Sequence, residues 1–457
     1  MAIFVKTELN AGSVNVVYNR NYVYIITCIA ALGGVLFGFD LVIISGTVPF
    51  FKSYFNLDAV GLGWAVGCIN LGAAIGAMLA GWLSDKLGRK KLLMFSGFLF
   101  ALTGIGTGWA AQFDLFVLSR ILSGVAVGLA ALVCPMYVAE ISPSPIRGRM
   151  VSFYQLSIVI GILLAYLSNY LLLNSGINNW RWMFSSQAIP SLFFFTGLFF
   201  VAESPRWLIG KERVQEAFSI LQRIGGDEYA RIESKQIVLS YQSETKESFK
   251  ELFKKNIRPI LYTGICIAIF SQAVGQNSLF SYAPELFKQA GMAESSAFFQ
   301  SIIIGVITFL FTFIAIFKID KTGRKKLLKY GAMLLGLDAV ALAYSFYFHL
   351  PSLYVLTFLL CFIAIYSATL GPVTWVVLSE IFPNRIRGNA MSLATLALWI
   401  TNFFTTASFP VLKEHLGLPL TFTIHAGICF LYFIFIITRI PETKGKSLEE
   451  IEKLLVK

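Results

Sequence analysis

The chain has 457 residues, of which 56% are hydrophobic and 14% charged, with a mean hydropathy of +0.71. That composition lies outside the range of soluble globular domains and places the chain in a bilayer. The formal net charge of +12 does not mark a nucleic-acid surface, because the basic residues are sorted by membrane side.

A helix crosses the hydrocarbon with about 20 mostly apolar residues. In chain order such stretches fall near 22–48, 60–84, 91–111, 114–140, 150–173, 183–202, 257–287, 296–318, 325–348, 353–380, 388–410 and 418–439. They predict an all-α membrane protein of 12 transmembrane helices. Residues 1–21 form a polar N-terminal segment, 22–202 carry the first six helices, and 203–256 form a charged, helix-prone linker. Residues 257–440 carry the other six, and 441–457 form a short tail. The first apolar run is too long for a cleaved signal core and reads as a retained first span. Cys28, Cys68, Cys134, Cys266, Cys361 and Cys429 sit singly, one to a helix, without paired or ligand spacing, and read as apolar filler.

Alternating the spans with both termini on one side leaves Lys52, Arg181, Lys288 and Lys413 on one face and Arg120 inside a helix. Every other one of the 37 Lys and Arg residues lies on the second face. The positive-inside rule makes that face, and both termini, cytoplasmic. The basic excess also suits contact with anionic lipid headgroups.

Three segments return in order about 235–240 residues later. SDKLGRKKLL at 84–93 pairs with IDKTGRKKLL at 319–328, PMYVAEISPSPIRG at 135–148 with PVTWVVLSEIFPNRIRG at 372–388, and ESPRWL at 203–208 with PETKGKSLEE at 441–450. Two six-helix halves related as parallel repeats place a solute site between them near the bilayer midplane, with access alternating as one half rocks on the other. That is a transporter's organisation. No P-loop, metal-ligand cluster or nucleophile arrangement occurs in the pattern of residues, so neither ATP nor another cofactor is expected, and the transport is expected to be secondary.

These motifs, with GFDLVIISG at 38–46, YQLSIVIG at 154–161 and GQNSLFSYAPELF at 275–287, resemble the sugar porter family of the major facilitator superfamily from about Tyr22 to Glu452. The resemblance implies that Asp85, Arg89, Glu140, Arg147 and Glu203, repeated as Asp320, Arg324, Glu380, Arg387 and Glu442, form ion pairs that hold the inner gate shut while the outer side is open. The plainer alternative is a solvated basic loop set by topology alone.

Charges inside a span are costly and therefore functional candidates. Asp40 and Arg120 lie at similar depth in the first and fourth helices, so they can meet. Bacterial proton-coupled members of the family carry an aspartate at this position and facilitative glucose carriers an asparagine, which implies proton coupling here. A fixed pair that merely joins two helices is the alternative. Asp338, in the ninth helix, has no evident partner, and His349, His415 and His425 form no proton relay.

A neutral polyol is held by amides on its hydroxyls and by aromatic faces on its C–H surface. By position in the family motifs, Gln155, Gln272, Asn277, Trp375 and Asn402 line the sugar site, with Phe37, Tyr282 and Trp399 around it. Ser271, Gln276 and Thr308 depart from the family pattern, so the resemblance does not carry a particular sugar. Gly275 and Pro284 fit a seventh helix that bends or unwinds.

The expected function is proton-coupled uptake of a monosaccharide or related polyol, with no enzymatic step, by a monomer in a cell inner membrane. A facilitative uniporter is the alternative within transport. A sugar-sensing receptor is the alternative outside it, and the short 441–457 tail disfavours that reading.

Overall fold

The computed structural model of the protein describes residues 18–243, 249–255, 257–383 and 386–442. The expectations for the first 17 residues and for residues 443–457 lie outside the described residues. The first half comprises α1 (Arg20–Tyr54), α2 (Ala59–Leu87), α3 (Arg89–Gly108), α4 (Phe113–Ile141), α5 (Ser144–Leu172), α6 (Asn179–Ser185) and α7 (Ala188–Gly197). Two helices follow on the basic face, α8 (Pro205–Gly210) and α9 (Val214–Ser243), the second kinked at Gly225–Gly226. The second half comprises α10 (Arg258–Ala273), α11 (Gln276–Gln289), α12 (Glu294–Thr322), α13 (Arg324–Tyr347), α14 (Ser352–Ala368), α15 (Leu370–Ile381) and α16 (Arg387–Arg439).

Eleven stretches are long and apolar enough to cross a membrane, and the last, Arg387–Arg439, folds back at Gly417 and so supplies two crossings. The structure is therefore an all-helical, twelve-crossing membrane protein, with no strand among the described residues. Local chemistry sets the ends. Asn19 and Asp58 accept from the backbone N–H groups of Tyr22 and Gly61 and start α1 and α2, as N-cap side chains do.

Three spans are interrupted, the sixth at Ser186–Gln187 between α6 and α7, where the backbone angles stay helical. The seventh breaks at Gly275, which adopts φ +95°, between α10 and α11. Pro284 lies inside an unbroken α11, so of the two residues expected to bend this helix the glycine does so. The tenth, expected over 353–380, is split at Thr369. Pro372 explains the break: it has no N–H, and its ring crowds the carbonyl four residues back, at the end of α14.

Lipid offers no hydrophobic drive between helices, so close packing of small residues must hold them. A Cβ on Gly72 or Gly124 would fall 2.0 Å from the backbone oxygen of Ile121 or Ile69, which brings α2 and α4 into backbone contact. Gly38 and Gly161 do the same for α1 and α5. Between the halves, α2 packs on α16, α5 on α12 and α1 on α11. The α2–α16 contact is tightest toward the face opposite the basic loops, where a Cβ on Gly63 would lie 2.0 Å from the Ala407 oxygen.

Gly88 links α2 to α3 with φ +95° and ψ 160°, and a Cβ there would lie 2.3 Å from Glu203 Oε2. That backbone region is open essentially to glycine alone. Gly88→Ala is expected to lower stability by about 1–3 kcal/mol, read as a fall in the thermal unfolding midpoint in detergent. Gly148→Ala, with nothing within 4 Å of its added Cβ, is the matched control; an equal midpoint for the two variants refutes the strain argument.

Candidate functional site

Asp40 is carried by α1 and Arg120 by α4, and they meet at mid-depth. Arg120 Nη1 donates to Asp40 Oδ1 at 2.6 Å, with side-chain exposures of 1% and 0%. Ser123, one turn beyond Arg120 on the same face of α4, donates to Asp40 Oδ2. Its i+3 spacing from Arg120 was the available signal, but the sequence does not say which hydroxyl a carboxylate will select. The guanidinium also lies over the Phe184 ring at 5.7 Å, while its Nε and Nη2 have no partner. Both charges are compensated in this arrangement, and separating them would leave two buried ions exposed to a large desolvation penalty.

The residues expected around a sugar divide into groups. The break at Gly275 lets Gln272, at the end of α10, face Asn277, at the start of α11, and Asn277 Nδ2 donates to Gln272 Oε1 at 2.7 Å. Gln272 Nε2 reaches Ser271 Oγ at 3.3 Å. Phe37 and Trp399 pack with ring centroids 5.8 Å apart across the two halves, and Trp399 Nε1 is buried without a partner. Gln276 is 1% exposed, with neither amide atom hydrogen-bonded. Gln155 on α5 is half-buried, and Trp375 on α15 keeps 38% of its surface exposed.

Other residues are engaged elsewhere. Ser271 and Thr308 turn their hydroxyls back to the Ala268 and Ile304 carbonyls of their own helices. Tyr282 stacks on Phe409 at 5.2 Å and donates to the Thr406 carbonyl, away from Asn277. Asn402 is taken up by Asn70 of α2 and by Thr406. Asn70 is a lone amide in a glycine-rich span, which is a weak signal in the sequence.

On the basic face the charges close within each half. Arg89 grips Glu140 with two bonds of 3.0 Å and reaches Asp85 at 3.2 Å. Glu203 accepts from the N–H groups of Arg89 and Lys90 and so caps α3 from a distant part of the chain, which also sets its charge against the helix dipole. Burial pushes the Glu203 carboxyl above its ordinary range, and the N–H groups of Ser204, Lys90 and Arg89 oppose that rise. The second half repeats the design: Arg324 binds Glu380 at 2.9 Å, and its N–H donates to Glu442 at 3.0 Å. The Asp320 side chain lies outside the described residues.

Arg147 and Arg387 depart from the expected clusters. Each donates from Nε to a carbonyl five residues back, Ser142 and Phe382. The carboxylate nearest Arg147 is Glu233 of α9, at 4.0 Å. Both arginines open α5 or the first turn of α16, and their side chains close that turn before they can reach the α2–α3 or α12–α13 clusters. Among the described residues no cluster with metal-ligand geometry occurs.

The Arg89 and Arg147 pairs make opposite demands. Arg89 is 7% exposed beside a Glu140 that is 10% exposed, whereas Arg147 is 42% exposed. Arg89→Ala is therefore expected to cost about 3–5 kcal/mol by stranding Glu140, and Arg147→Ala about 0–1 kcal/mol. Thermal unfolding of the two purified variants checks the order, and equal losses would show that the Arg89 pair is effectively solvated.

Residues 26–455 match the family described as Sugar (and other) transporter. The chain is 38% identical over 447 residues to the arabinose-proton symporter of Bacillus subtilis (strain 168), covering 96% of each chain. Its structure is similar, with a TM-score of 0.86 and 36% identity, to the inward open conformation of the xylose transporter XylE from E. coli, covering 95% of this chain and 100% of that one. Against the proton:xylose symporter XylE bound to 6-bromo-6-deoxy-D-glucose the TM-score is 0.78, again at 36% identity and covering 96% and 100%. The arrangement here is nearer the inward open one, in keeping with the close α2–α16 contact away from the basic loops.

Proposed function

Because the chain belongs to the sugar (and other) transporter family, we propose that it is a secondary active symporter that takes up a monosaccharide or related polyol together with protons by alternating access. In this reading the basic face lies in the cytoplasm with both termini, the protein is a monomer in the cell inner membrane, and anionic lipid surrounds its basic rim. The charge asymmetry supports that orientation.

The observation that supports the coupling is the buried Asp40–Arg120–Ser123 site, where the Arg120 and Asp40 side chains are 1% and 0% exposed. Paired, the Asp40 carboxylate is closed off by a guanidinium and a hydroxyl; parted from them, it is open to exchange a proton. A cycle that brings α1 and α4 together on release and loosens them on loading therefore moves one proton per turn. Arg120 acts by position alone, since it stays protonated throughout.

The sugar is bound from the second half by Gln272, Asn277 and Trp375, and from the first by Gln155. Gln276 adds two unsatisfied amide atoms, which suits a polyol with a further hydroxyl in reach. Ser271 and Thr308, with hydroxyls returned to their own helices, offer little to the solute, so the substrate is expected to be chosen by fewer and more widely spaced polar contacts. The Arg89 and Arg324 clusters brace the basic end of each half and, as the inner gate, set how readily that side closes.

Asp40→Asn is expected to abolish accumulation driven by a proton gradient in proteoliposomes while counterflow exchange of the same labelled sugar continues. Accumulation that survives the substitution would identify a different coupling group, and an unsubstituted protein that equilibrates the sugar without accumulating it would identify a uniporter. A screen of labelled arabinose, xylose, glucose, galactose and myo-inositol in transporter-deficient cells tests the solute class, and no uptake of any of them would refute the sugar assignment.

A further inference from the structure

The proposed mechanism leaves one buried contact between the halves unused. Asn402 of α16 donates from Nδ2 to Oδ1 of Asn70 on α2 at 2.8 Å. Thr406 Oγ1 donates to Asn402 Oδ1 at 3.2 Å, and Asn70 Nδ2 donates to the Gly67 carbonyl at 3.1 Å. All three side chains are 2–3% exposed. Between described residues this is the one hydrogen bond from side chain to side chain that joins the two halves.

The bond sits at mid-depth. Asn70 lies about 16 Å along α2 from its start at Ala59, and Asn402 lies midway between Arg387 and Gly417 in α16. Away from the basic face, beyond the bond, the two helices touch backbone to backbone at Gly63 and Ala407, and Trp64 meets Phe403 edge-on at 5.5 Å. The amides therefore mark the inner limit of the seal that closes the face opposite the basic loops.

We infer that the Asn70–Asn402 bond is a lock specific to the state in which that face is closed, and that it breaks when the face opens. Rocking α2 away from α16 lets water enter between them and satisfy both amides. Closing again without Asn70 would strand the Asn402 amide in a dry contact, where an unpaired polar group is penalised. The side chain that the family resemblance assigns to the solute is thus occupied until the face opens. This inference rests on the alternating-access reading but not on what is transported.

Hydrogen–deuterium exchange of the purified protein in lipid nanodiscs, without any sugar, tests it. Asn70→Leu keeps the bulk and removes the amide. It is expected to speed exchange about five- to tenfold at residues 59–66 and 404–413, as loss of one buried hydrogen bond favours opening, with the basic ends unchanged or slower. Asn402→Leu is expected to match it, and the double variant to fall back toward the unsubstituted rate, because it leaves no stranded amide to penalise closing. Thr406→Val, which removes only the orienting hydroxyl, gives a smaller shift of the same sign and serves should the leucine variants fold poorly. Unchanged exchange in Asn70→Leu, additive single effects, or a uniform rise across all spans would overturn the lock. Because no solute enters the measurement, a failed sugar assignment leaves its result standing.

Discussion

The structure depends on one constraint: inside hydrocarbon, each backbone polar group and each charge must find its partner within the protein. Unbroken helices meet it automatically, and breaks are tolerated only where side chains supply the missing bonds. At the α10–α11 break the carbonyls released by Gly275 are served from other helices. His425 Nδ1 reaches the Ala273 oxygen at 3.2 Å, and the Tyr366 hydroxyl reaches the Ser271 oxygen at 3.5 Å. His425 also fills the space beside Gly275, where a Cβ would come within 2.7 Å of its ring. The hinge is therefore built from the twelfth and tenth spans as much as from its own glycine.

The same constraint explains why the two halves are alike where they are rigid and unlike where they act. Each half ends its second span in a glycine with φ above +90°, caps the next helix with a glutamate from beyond its sixth span, and ties the following arginine to a carboxylate. Lys90 and Lys325 even donate to corresponding carbonyls, Phe199 and Ile437. The buried ion pair of Asp40 and Arg120 belongs to the first half only, and the hinge with Gln272 and Asn277 to the second. One half holds the paired charges and the other the amides at the hinge, so each can reorganise without disturbing the bracing of its basic end.

How far the sequence discloses this follows from what each feature depends on. Span positions depend on composition over about 20 residues, so they were legible throughout, with α1 and α5 each starting earlier than hydropathy suggests. The depth match of Asp40 and Arg120 needed only residue counts. The split at Thr369 was hidden because Pro372 lies in a segment apolar on both sides, where hydropathy is blind to a backbone break. The contacts made by Ser123, Asn70 and Glu233, and the partners that Tyr282 and Asn402 take up, were not legible for a common reason. Each is decided by which neighbouring helix a side chain meets, and the rotation of one helix against another is absent from a single strand of residues. Arg147 and Arg387 illustrate a further limit, since a carbonyl five residues back competes with carboxylates that the repeat alone would choose.

Contacts that persist and contacts that must form and break in every cycle call for different chemistry. An ion pair separated in a dry interface leaves two unsolvated charges, a penalty of several kcal/mol per ion even after relaxation. Most of the described ion pairs accordingly lie within a half, on the basic rim or, as with Glu285 and Lys413, on the opposite rim. Across the halves the structure uses neutral groups: glycine against a backbone carbonyl, aromatic edges, the Tyr166 hydroxyl on the Phe280 carbonyl, and the paired amides of Asn70 and Asn402. Water can replace either of the two hydrogen bonds at a net change of about 1 kcal/mol each, and parting the glycine and aromatic contacts exposes no ion, so the interface opens without passing through a state of stranded charge. Asp40 and Arg120 keep to the same rule, since their pair, though buried, lies within the first half and need not part when the interface between the halves opens.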